Sequence, residues 1–345
     1  MEENKKEIIK EKNKINKEKE KKKKASAKQK LDRATILGII AVCIASVGLV
    51  IAILALVLGG GKSGKNSSGL EFYPDGNGNY IVGAGEAKYL SEITIPEKHN
   101  GGNVIGIDNE GFAYCENLKS ITIPDSVTNI GDYAFAYCDK LTDINMGSGV
   151  TNIGLYAFSG CTALASINLS ENLQTIDEYA FYACENLVNI SIPDSVISVG
   201  ANAFTNCDSL NFTISENGYY LGNRDNPYHT LVKIESTEIT SFTVNEGTRV
   251  IYSGVFDFCY KLTEIDLPEG VTQIGVEAFY NCESLKTLII PRTLKYIGDR
   301  AFSGCTSLSA IYYTGEENQI YSITVEYDND PFFEAEFYYN YTRSN

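Results

Sequence analysis

The chain has no tryptophan, two histidines and two methionines in 345 residues. Neither His99 nor His229 has a Cys or His partner set beside it, so a His-based metal centre has no material. No Ser-His-Asp order can be traced, and no glycine-rich loop follows a strand to cradle phosphate. The acidic piece Tyr327–Asp330 lacks the spacing of an EF-hand loop. We therefore expect no catalytic residue, no metal and no cofactor. Charge is also missing from one stretch. Residues 35–58 carry none, whereas residues 1–34 hold fourteen basic and seven acidic side chains. Residues 59–345 hold fifteen basic and thirty-seven acidic side chains, so the formal −15 divides into +7, zero and −22. That division excludes one uniform soluble domain. A body at −22 repels phosphate, which excludes nucleic acid as its partner.

Residues 1–33 are Lys/Glu-rich and hold too few apolar side chains to fold alone. Residues 34–58 are apolar throughout, and as a helix they would exceed the roughly 30 Å hydrocarbon core of a bilayer. We read them as an uncleaved transmembrane signal-anchor; a signal peptide cleaved near Leu58–Gly61 is the rival. Basic residues before the span place the N-terminus in the cytoplasm and the remainder outside a plasma membrane crossed once. Residues 59–69 form a Gly/Ser linker.

The body is organised by its cysteines. Cys115, Cys138, Cys161, Cys184 and Cys207 are 23 residues apart, as are Cys259, Cys282 and Cys305. The gap of 52 between Cys207 and Cys259 hides one Cys-free repeat with a six-residue insertion. Phe precedes each Cys by three residues and Leu follows by three. An Ile-x-Ile pair, a frequent Pro, Val-x-x-Ile-Gly and Ala-Phe complete the unit. Such a period is the signature of a solenoid. The Ile-x-Ile alternation predicts a short strand. The Ala-Phe-x-x-Cys-x-x-Leu spacing predicts one helical or 3₁₀ turn. About ten turns would stack into a rod of roughly 50 Å. The cysteines are expected as free, buried thiols, because ladder neighbours point the same way and Cys is a good small hydrophobe.

These columns resemble the BspA-type leucine-rich repeat family of bacterial surface proteins. The resemblance implies an α/β repeat solenoid of about 23 residues per turn with a cap at each end, here preceded by a single transmembrane helix. On that reading residues 70–104 are the N-terminal cap, 105–310 the repeats, 216–238 the surroundings of an insertion, and 311–345 the C-terminal cap. The resemblance also implies adhesion, through an extracellular protein or glycan partner. A structural, envelope-organising role is the alternative.

Solenoids bind through extended faces. The candidate partner-binding face consists of strand positions expected to point outward: Ser120, Thr122, Asp143, Asn145, Ser166, Asn168, Asn189, Ser191, Glu264, Asp266, Thr287 and Ile289. They should form two columns on one continuous sheet. Tyr133, Tyr156 and Tyr179 share another column, suited either to ligand contact or to packing within the ladder.

Overall fold

A computed structural model describes residues 68–215 and 218–343. The tail 1–33, the span 34–58 and most of the linker lie outside the described residues. Among the described residues no helix is long and apolar enough to cross a membrane.

Most 23-residue coils place two short strands on two sides of the solenoid. The first is the polar-Ile-polar segment foreseen above, as in Ser120–Thr122, Asp143–Asn145 and Ser166–Asn168. The second is a two-residue strand, as in Asn129–Ile130, Asn152–Ile153 and Thr175–Ile176. Two residues are too few to show alternation, so this side was not legible as a strand. Both sides pair in parallel with the period of the repeat: Ser120 faces Asp143, and Asn129 faces Asn152.

Of the helical or 3₁₀ turn expected on the third side, the i to i+3 bonding of a 3₁₀ turn is present and a helix is not. Ala-Phe-x-x-Cys-x-x-Leu runs through successive tight turns, with Cys138 N donating to Phe135 O and Leu141 N to Cys138 O. Two residues per coil have left-handed backbone, such as Tyr133 at φ 57° and Tyr137 at φ 58°. A right-handed helix cannot propagate through either. This side instead bonds coil to coil, Phe135 N to Ala157 O and Tyr137 N to Ser159 O, both at 2.7 Å. The molecule is thus a β-solenoid of about eleven turns rather than an α/β one. Among the described residues the only α-helix is Asp330–Glu334.

The core is a set of like-residue ladders. Phe112, Phe135, Phe158, Phe181 and Phe204 stack with centroids 5.1–5.8 Å apart, and Phe256, Phe279 and Phe302 repeat the pattern. All eight repeat cysteines are buried and free. Their thiols have a further task. Cys138 Sγ donates to Phe112 O, Cys161 to Phe135 O and Cys184 to Phe158 O, at 3.1–3.2 Å. A column that must be small, apolar and able to donate weakly selects Cys. The Gly after Ile serves close approach between coils. A Cβ at Gly298 would lie 2.6 Å from Val276 N, and one at Gly275 would lie 2.6 Å from Ser253 N.

The coils form two runs, one ending near Cys207 and the other containing Cys259, Cys282 and Cys305. Between them the insertion folds as an antiparallel sheet, Thr213–Ser215, Gly218–Leu221 and Thr230–Ile234. The last of these strands then pairs in parallel with Val250–Ile251 and opens the second run. Strand Ser198–Val199 has no such successor. Its coil is closed by side chains. His229 Nε2 meets Val196 O at 2.9 Å, Thr272 Oγ1 donates to Ile197 O at 3.1 Å, and Phe204 N donates to Tyr252 Oη at 3.2 Å. Gln273 accepts from Val199 N at 2.8 Å and donates to Val199 O at 2.9 Å. These side chains come from three successive coils of the second run and reach one coil of the first. The ladder of the first run is therefore not continued by a strand of the second, and side chains close the junction between the two runs.

The C-terminal end is closed by the same device. Asn329, 1% exposed, accepts from Phe302 N at 2.9 Å and donates to Gly298 O at 2.9 Å. The acidic piece around it is part of the cap.

Candidate binding face

On the first run the strand side alternates as expected. Ile121, Ile144, Ile167 and Ile190 are buried, while Asp143, Asn145, Ser166, Asn168, Asn189 and Ser191 are exposed. Ser120 and Thr122 are half-buried. Period 2 decides this: with one face on the core, every second side chain must leave it. The exposed set is small and polar, with a single charge at Asp143 and no aromatic.

The face is not one continuous sheet. Glu92–Thr94, Ser120–Thr122 and Asp143–Asn145 form one ladder, and Ser166–Asn168 with Asn189–Ser191 a second. Glu264–Asp266, Thr287–Ile290, Ala310–Tyr313 and Glu336–Tyr338 form a third. The insertion separates the third from the others.

On the second run the expectation changes at two residues. Glu264 is exposed and Thr287 half-buried, but Ile289 is 6% exposed and belongs to the buried set. Asp266 is half-buried and engaged: Arg343 Nε donates to its two carboxylate oxygens at 2.9 and 3.1 Å. The C-terminal segment returns over this side, with Tyr341 N bonded to Tyr313 O and the Tyr341 ring 4.9 Å from Tyr312. An apolar residue at an outward strand position was the one available signal of such a cover. Nothing in the repeat pattern points to Arg343, which lies beyond the last coil.

The tyrosine column stacks as foreseen, Tyr133 on Tyr156 at 4.9 Å and Tyr156 on Tyr179 at 4.5 Å. Each ring face meets its neighbour, so the column presents edges rather than the flat faces a sugar would stack on. Burial pushes the Tyr156 hydroxyl up to about 12. Asn202 Nδ2 donates to Tyr179 Oη at 3.1 Å and closes the column. His99 lies 3.9 Å from Phe72 in a parallel stack, and His229 is buried at the junction between the runs. Among the described residues no group of His, Cys, Asp or Glu is arranged to hold a metal ion.

Parallel 23-residue coils with Phe, Cys and Leu ladders define a leucine-rich-repeat β-solenoid. The BspA type Leucine rich repeat region matches residues 86–224 and 234–328 in six copies, and the chain belongs to that family. Similar solved structures include the leucine rich repeat protein of T. pallidum, at 22% identity over 71% of this chain and 91% of that one, with a TM-score of 0.44. A leucine rich cell surface protein from Faecalibacterium prausnitzii is 22% identical over 77% of this chain and 98% of that one, with a TM-score of 0.33. A leucine-rich repeat protein from Bacteroides ovatus is 22% identical over 79% and 77%, with a TM-score of 0.39. No curated protein matches the chain.

Proposed function

We propose that the chain is a non-enzymatic binding module, held at the outer surface of a cell by the apolar stretch 34–58, that engages a protein or glycan partner through its first-run strand face. One observation carries the reading: Asp143, Asn145, Ser166, Asn168, Asn189 and Ser191 are exposed side by side on a rigid scaffold. Hydrogen-bonding groups at fixed spacing suit an extended polar partner. The charge division +7, zero, −22 supports the orientation, with the basic end inside.

The test uses the full chain with Asp143→Lys and Asn168→Lys combined. Both side chains are exposed, so the fold should stand, and adhesion to cells, matrix or glycans should fall about tenfold or more. Unchanged adhesion would remove this face as the site. Asp266 is left intact because its loss would also release Arg343. For the orientation, protease added to intact cells should remove the repeats and spare the Lys tract; the reverse pattern overturns it.

A further inference from the structure

Arg343 occupies a cradle that the second run builds without it. Its Nε donates to both oxygens of Asp266, one Nη donates to Glu269 Oε1 at 3.1 Å, and the other donates to Leu267 O at 2.5 Å. The acceptors are held by the body. Asp266 is registered against Ile289 and bridges Thr243 on its other side. Glu269 Oε1 accepts from Thr314 Oγ1 at 2.6 Å. Leu267 N donates to Ile289 O at 3.0 Å, which fixes the direction of that peptide. The chain that brings the occupant is laddered to the body as far as Tyr338, since Glu336–Tyr338 pairs in parallel with Ala310–Tyr313. Beyond that strand the approach rests on two main-chain bonds, Asn340 N to Gly315 O and Tyr341 N to Tyr313 O, and on the Tyr341–Tyr312 ring contact.

Two carboxylates and a carbonyl converging on one planar cation match the fork of a guanidinium; an ammonium would satisfy them one at a time. We propose that this cradle is an arginine-binding site on the strand face, filled by the chain's own Arg343, and that an extended arginine-bearing segment of another polypeptide takes its place. The proposal rests on the reading of the strand side as a binding surface and names the partner chemistry of its second-run part. The −22 of the body draws cationic segments toward it. Tyr312 supplies the neighbouring contact that a residue two before the arginine would take over, as Tyr341 does now.

The probe is a labelled synthetic peptide with the sequence of residues 339–345, tested against the full chain by fluorescence anisotropy. Arg343→Ala should bind it about tenfold more tightly than the unaltered chain, since the competing internal arginine is gone. A peptide carrying Arg343→Lys should bind about tenfold more weakly, and Asp266→Asn added to Arg343→Ala should abolish binding. Equal binding by Arg343→Ala and the unaltered chain, or by the Arg and Lys peptides, overturns the proposal. A second measurement needs no variant. Saturating peptide should speed hydrogen exchange at the Asn340 and Tyr341 amides of the unaltered chain, and unchanged exchange counts against the site. Neither readout involves Asp143 or cell adhesion, so this site and the first-run face can fail independently.

Discussion

The carboxamide of Gln273 pairs with the main chain of Val199 as a neighbouring strand would, accepting from its N–H and donating to its C=O. The two residues are 74 positions apart, and Gln273 is 4% exposed. Val199 ends the ladder of the first run, where its N–H and C=O would otherwise be buried and unpaired. Such groups cost about 1–3 kcal/mol each when left so. Gln273→Ala is therefore expected to destabilise the described body by about 2–4 kcal/mol, read by urea unfolding. Gln273→Glu should be at least as damaging, because a carboxylate can accept from Val199 N but cannot donate to Val199 O. Wild-type stability in both variants would mean that water closes the junction just as well.

The columns that stack were legible and the contacts that break the stack were not. Phe135, Cys138 and Leu141 recur with their counterparts every 23 residues, so a single buried unit could be read eight times over. The strand face followed from the same count wherever Ile alternates with a polar residue, as at Asp143–Asn145. Gln273, Tyr252 and Asn329 each do something their column neighbours do not, and one-off roles leave no period to detect. Asp266 has the same outward strand position as Asn145, and only the returning chain at Arg343 sets it apart. Left-handed backbone at Tyr133 and Tyr137 was hidden because bulky residues rarely adopt it, and the 3–4 spacing around them reads as helix.

His229 makes the junction between the runs sensitive to acid. Burial pulls its imidazole down to about 4, against the opposing pull of the Val196 carbonyl; Asp194 favours the cation and Arg249 disfavours it. The ring is fully buried, with Nε2 on Val196 O and Nδ1 on Thr230 Oγ1. A histidine whose folded value lies below its unfolded value of 6.5 contributes stability that is fully present above about pH 6.5 and is lost as pH falls toward 4. The loss over that window should be about 3 kcal/mol. Carboxylates also titrate near its lower end, so the comparison is with His229→Gln. The variant should show a shallower fall in urea midpoint between about pH 6.5 and 4.5. Parallel curves would show that His229 does not titrate with unfolding.

The cysteine ladder should be chemically silent while folded. Burial raises the Cys161 thiol to about 12, and the hydrogen bond with Cys207, with burial behind it, raises Cys184. At about pH 8 almost no thiolate exists at these two sites. Cys115 and Cys207 are pulled down by their hydrogen bonds with Cys138 and Cys184, so their protection rests on burial, because a disulfide reagent needs access as well as the thiolate. Native protein should leave the eight repeat thiols unreacted, and denatured protein should release them together. Mass spectrometry without reductant should find no crosslink between repeats. Gradual reaction, coil by coil, would instead indicate local opening of the solenoid.

Two glycines of neighbouring coils should respond in opposite ways to a side chain. Gly275 follows Ile274 and has ordinary backbone, but a Cβ there would lie 2.6 Å from Ser253 N and 2.8 Å from Tyr252 C. Main chain cannot yield without parting the coils, so Gly275→Ala should cost about 1–3 kcal/mol. Gly254 has φ 68°, and a Cβ there would meet nothing closer than Asp257 at 3.8 Å. Its column is occupied in other coils by Tyr179, Asn202, Glu277 and Arg300, all with φ between 54° and 58°. Asn tolerates that conformation better than most residues. Gly254→Asn should therefore change stability by less than about 1 kcal/mol, measured by the same urea unfolding. If Gly254→Asn proved the worse of the two, backbone conformation rather than coil spacing would be what the repeat glycines protect.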